Sequence, residues 1–173
     1  TGKAGNKKII PNAGIGDEAY QGADLYTSQY GLEGECRFFL PIFKRAVLMQ
    51  AIRGAGLVAE NLFQNELYRI GGTQTIRGFD EESIYCTSFG ALTLEYRFLL
   101  EQNSYLHFFG EGGYYENYSI SAAWNGTLLS LGAGISFETR AGIFSLSYAL
   151  GSELPAGPDL RNGKVHFGIT GLF

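Results

Sequence analysis

The sequence is short of most things that would point to catalysis or to a helical membrane protein. Its 173 residues contain four prolines, one methionine, two cysteines and two histidines. No run of eighteen apolar residues occurs, which excludes a transmembrane helix. Lys and Arg number 13 against 17 Asp and Glu, a net charge of -4, so there is no basic footprint for nucleic acid. Cys36 and Cys86 are too few to build a disulfide framework. A single disulfide in an oxidising compartment and two free thiols are both open, with free thiols the favoured reading. The two histidines, His107 and His166, fall on separate strand-like segments, and nothing shows metal-ligand spacing. No glycine-rich phosphate loop runs from a strand into a helix, and no Gly-x-Ser-x-Gly elbow is present. The sequence therefore predicts no catalytic residue, no metal, no cofactor and no enzyme. It opens at Thr1 without an initiator methionine or a signal peptide, and the expectation is a processed or trimmed product whose true start lies upstream.

What the sequence has in quantity is glycine, tyrosine and phenylalanine, at 25, 11 and 13 residues. Glycine and aromatics with few helix formers in sequence predict many strands and turns. The length suits one domain with a sizeable core, a single β-region over 1–173. Near-neutral mean hydropathy does not argue against a membrane, because barrel strands hide their apolar face in alternation. Residues 7–10 could end one strand before Pro11. In 32–40, Leu32, Gly34, Cys36, Phe38 and Leu40 share one face, and Glu33, Glu35, Arg37 and Phe39 the other. Pro41 is expected to end that run. A second strand at 45–57 is ambiguous, since Gln50 and Arg53 fall on opposite faces.

Five clearer segments follow at 91–100, 105–115, 129–138, 144–150 and 164–173. In the first, Leu92, Leu94, Tyr96, Phe98 and Leu100 alternate with Thr93, Glu95 and Arg97. In the last, Val165, Phe167, Ile169, Gly171 and Phe173 alternate with Lys164, His166, Gly168 and Thr170. Such lengths fit a tilted strand crossing a bilayer core. The connections at 101–104 and 139–141 are short, whereas those at 116–127 and 151–163 are expected to be long polar loops. That alternation favours an outer-membrane barrel over a soluble β-sandwich, which shares the period of two but has no need of it.

Between the strands ending near 57 and beginning near 91 lies a connection at 60–87 with the polar, glycine-bearing core Gly71, Gly72, Ile76, Arg77, Gly78 and Phe79. Long connections without periodicity are usually functional or disordered. Glu95 and Glu111 lie on inward faces; two facing carboxylates repel, and a guanidinium between them relieves the repulsion through charge-assisted contacts. Arg77, Glu95 and Glu111 thus form a candidate latch that pins the loop tip inside the lumen. The other inward polar groups (Arg97, His107, Glu138, Lys164, His166) read as solvated lumen lining.

Gly71-Gly72 followed by Ile76-Arg77-Gly78-Phe79 resembles the arginine-glycine loop of the BamA/TamA superfamily, the bacterial surface-antigen barrels. Leu94-Glu95-Tyr96-Arg97-Phe98 is similar to that family's strand after the loop, and Phe109-Gly110-Glu111-Gly112-Gly113 to its Phe-x-Asp-x-Gly strand. Glu111 stands where aspartate is usual, which lengthens the latch by one methylene. The alternation ending at Phe173 resembles the C-terminal signal of outer-membrane barrels. The resemblance covers about 30–173 and implies the C-terminal half, some eight strands, of a sixteen-stranded barrel whose arginine loop folds into the lumen.

It also implies an outer-membrane insertase or translocase of a Gram-negative-type bacterium, working without bond chemistry through a weakly paired seam. In this chain the seam strand is 164–173. The partners implied are outer-membrane lipid, the remaining barrel half on this or another chain, unfolded β-rich clients and accessory subunits. Two other functions fit the same residues: a barrel exporting one passenger, as in patatin-like or two-partner secretion systems, and a passive pore or anchor.

Overall fold

The computed structural model describes residues 1–8, 26–60, 62–101, 103–120, 122–140, 142–157 and 160–171. Eight strands form one antiparallel sheet: β1 (Gly2–Lys8), β2 (Tyr26–Phe43), β3 (Ala46–Val58), β6 (Ser88–Glu101), β7 (Ser104–Ser119), β8 (Ala122–Thr139), β9 (Gly142–Glu153) and β10 (Lys164–Thr170). Two short strands, β4 (Tyr68–Ile70) and β5 (Ile84–Cys86), pair with each other inside the long connection. The sheet follows chain order from β1 to β10, skipping only that inserted pair. Among the described residues β1 and β10 each pair on one side only, so the sheet is an open wall, a partial β-barrel.

The alternation in sequence becomes two faces of different chemistry. Leu92, Leu94, Phe108, Leu131, Leu146 and Phe167 project outward and are exposed. The opposite face carries Glu95, His107, Glu111, Ser130, Ser147 and His166, all buried. An apolar exterior over a polar, filled interior is the inverse of a soluble sheet and fits a wall standing in lipid. Register resolves the ambiguous 45–57 segment. Gln50 stands opposite Phe38 and Leu94 on the outer face, while Arg53 turns inward and donates to Glu35 at 2.8 Å.

Three expectations are corrected. Pro41 does not end its strand: β2 continues to Phe43, with a register shift between Pro41 and Phe43. Beyond Leu32 β2 pairs with β3 alone among the described residues, and such a stretch next to a bulge tolerates the missing N–H. The expected long loop at 116–127 is a strand extension, since β7 and β8 pair out to Ser119 and Ala122 and turn tightly there. Its polar residues look loop-like because this hairpin reaches past the length needed to cross a bilayer core, about 9–11 residues. Third, β10 as described ends at Thr170, so Gly171 lies beyond it; Phe173 falls outside the described residues, as do Ile9, Ile10 and Pro11. At the opposite end, β2–β3, β6–β7 and β8–β9 are joined by short connections.

Candidate functional site

The connection between β3 and β6 folds into the concave face of the wall. It is more ordered than its composition suggests, with its own small sheet and an apolar cluster. Ile70, Ile76 and Cys86 pack with Tyr115 and Leu128 of the wall, and Tyr68, Phe79, Ile84 and Phe89 close around them. Ile76 and Leu128 are fully buried. Burying a side chain of this size contributes about 1.5–3 kcal/mol, so packing holds the loop alongside its polar contacts. The β7 extension secures its root: Thr87 donates from its amide to the Glu116 carbonyl at 2.7 Å, and Asn117 Nδ2 donates to the Tyr85 carbonyl at 3.1 Å.

The turn at Gly71-Gly72 aims the tip. Gly72 donates to the Ile76 carbonyl at 2.9 Å, and the Gly71 amide donates to Thr75 Oγ1 at 2.7 Å. Gly71 has φ +113°, and a Cβ there would stand 2.3 Å from the Asp80 carbonyl oxygen; only glycine satisfies both conditions. Ile76 then turns into the apolar cluster, leaving its neighbour Arg77 to face the wall.

Arg77 lies between the two predicted carboxylates. Its Nη1 donates to Glu95 Oε2 at 2.9 Å. Its Nε and Nη2 donate to Glu111 Oε1 at 2.9 and 2.6 Å, and its backbone amide donates to Glu111 Oε2 at 2.6 Å. The guanidinium lies 3.4 Å from the centroid of Phe109. Glu95 is 3% exposed and Glu111 7%, so water cannot supply what the arginine supplies. Arg97 donates to the other oxygen of Glu95 at 2.7 Å, giving two guanidinium groups to two carboxylates. Beside them the lumen is a polar cavity of about 410 Å³ lined by Glu35, Arg37, Arg53, Arg97 and His107 among others.

Gly78 and Phe79 reach the opposite strand pair. Gly78 has φ +89° and would place a Cβ 2.6 Å from the Gly151 nitrogen on β9, so the loop backbone lies directly on the strand backbone. Its amide donates to Nε2 of His166 on β10 at 2.9 Å in a buried contact. Asp80 pairs with Lys164 at 2.7 Å in an exposed position. His166 is thus a buried loop contact rather than solvated lining, and His107 is buried as well; Lys164 touches the loop but stays solvated, and Gly151 was not singled out by sequence. The signal available for His166 was its inward parity on the last strand. Glu138 lies apart from this site, exposed, and accepts from Asn103. The remaining strand residues named from sequence, Val165, Phe167 and Ile169, face outward and are exposed. Cys36 and Cys86 are both free thiols, the first exposed and the second buried.

Comparison with protein families matches residues 18–173 to the Omp85 superfamily domain. The chain belongs to the Omp85 superfamily. Omp85 proteins are outer-membrane proteins of Gram-negative-type bacteria and of organelles, and they insert or transport proteins rather than catalyse reactions. The BamA/TamA resemblance read from the loop and strand motifs is consistent with this membership. A search of curated proteins found no match for this Omp85 chain.

Proposed function

We propose that this chain is the C-terminal wall of a BamA/TamA-type barrel that assembles or exports β-rich proteins through a lateral seam at β10. The observation that carries the reading is the arginine loop, held by Glu95 and Glu111 and lying against β9 and β10 at Gly78. The edges of β1 and β10 are both open among the described residues, and in a closed barrel each needs a partner, because bare edge groups in hydrocarbon are costly. An incoming strand can supply that pairing by β-augmentation. The Arg77 contacts brace the wall against which that exchange takes place. A passive pore has no use for a seam that accepts a second chain. The remaining strands of the closed barrel, sixteen in all on this reading, come from sequence outside 1–173.

Site-specific crosslinking tests the proposal. The full-length protein with Phe167→Cys is reconstituted in lipid vesicles with a barrel client carrying cysteines along its terminal strand. We expect disulfides at alternate client positions, matching one register. No disulfide, or equal crosslinking from Phe108→Cys on the middle of the wall, contradicts a seam at β10.

A further inference from the structure

Arg77 and Gly78 are adjacent in sequence, yet they contact strand pairs on either side of β8. Arg77 is bound to Glu95 of β6 and Glu111 of β7, and Gly78 to His166 of β10 and against Gly151 of β9. Two residues of one loop therefore form a chord across the concave wall. The two ends of the chord differ in strength. The Arg77 end is a buried network of charge-assisted contacts with both carboxylates. The other end is close backbone packing plus one neutral hydrogen bond, and that bond requires an unprotonated Nε2 on His166. Protonation of the ring would place an N–H against the Gly78 N–H and break the contact.

We propose that His166 is the positioning residue through which the Arg77 loop holds the seam strand, and that release of the Gly78–His166 bond is the step that frees β10 for exchange. The inference rests on the seam reading above and adds the residue that controls it. The charged groups around His166 are Arg77, Asp80 and Glu81 of the loop, Glu111 of β7 and Lys164 of β10 itself; the facing part of β9 offers Ser147 and Ala149. A small cavity of about 230 Å³ between the loop and β10, lined by Asp80, Glu81 and His166, gives the ring space to turn out. The neighbouring Lys164–Asp80 pair is exposed and contributes little by itself, so the buried bond is the contact that matters at this end.

The test is hydrogen exchange of the β10 amides, corrected for intrinsic rates, on the full-length protein in lipid vesicles at pH 7.5 and pH 5. Client insertion is measured on the same preparations. In the wild type, exchange of 165–170 rises at pH 5 while β7 stays protected. His166→Ala raises β10 exchange roughly five- to tenfold at pH 7.5, the size expected for one lost hydrogen bond. His166→Gln puts an amide oxygen near the Nε2 position; it keeps wild-type protection at pH 7.5 and loses the pH dependence. Unchanged β10 protection in His166→Ala overturns the proposal, and so does a pH profile in His166→Gln identical to wild type. If His166→Ala does not fold, the His166→Gln profile alone decides. A wild type that inserts no client refutes the insertase reading but leaves the exchange result to judge His166.

Discussion

The buried ion pairs of Arg77 are weak evidence of added stability. Removing two carboxylates and a guanidinium from water costs several kcal/mol per ion, and their attraction offsets this only with near-complete hydrogen bonding. Here that completeness is met, with Arg97, Thr93 and the Arg77 amide taking lone pairs the guanidinium leaves over. The two cysteines allow a sharper check at the same scale. Burial pushes the Cys86 thiol up to about 12, well above a free thiol, so it stays protonated at pH 8 and is a poor nucleophile. Cys36 projects outward from β2. Cys86, by contrast, is expected to resist a maleimide in the folded protein and to react after denaturation; labelling of Cys86 in the folded state would show the loop undocked. Arg77, Glu95 and Glu111 were legible in sequence because strand parity places both glutamates inward and only an arginine can serve them jointly. His166 was not, because parity says that a histidine faces the lumen but not which loop atom lies above it.

At the scale of elements, strands declared themselves and their ends did not. Alternation located β6 through β10 because lipid outside and polar packing inside impose opposite chemistries on successive residues. The hairpin joining β7 and β8 was missed because beyond the bilayer both faces meet polar surroundings and the contrast fades. The loop's own sheet was missed for a related reason, since strands of three residues are too short for a period to show. What the sequence conveys poorly is close backbone approach. Gly151 reads in sequence as the start of a loop, yet it lies in β9 and a Cβ there would stand 2.3 Å from the Gly78 carbonyl oxygen. Gly151→Ala must push the tip off β9, at a cost of about 1–3 kcal/mol for overpacking. Limited trypsin digestion is the measurement: cleavage after Arg69 or Arg77 is expected to appear in folded Gly151→Ala and not in wild type. An equally resistant variant would mean that the tip does not sit on this strand.

At the scale of the whole molecule, the wall and the loop are joined along most of the sheet. The loop's apolar cluster fixes it to β7 and β8, Arg77 fixes it to β6 and β7, and Gly78 fixes it to β9 and β10. On the proposed function, a curved sheet braced in this way would keep its shape while β10 exchanges partners. Removing Arg77 leaves Glu95 and Glu111 buried with Arg97 as the one remaining guanidinium at the latch. Breaking a buried pair in this way costs about 3–5 kcal/mol, a loss borne by loop docking rather than by the strand ladders. The most direct test of the account is therefore the rate of client insertion into lipid vesicles by full-length Arg77→Ala. It is compared with wild type at equal amounts of folded barrel, judged by the shift in gel mobility on heating. The account predicts a folded, heat-modifiable barrel whose insertion rate falls at least tenfold. A folded Arg77→Ala barrel that inserts clients at the wild-type rate would contradict it.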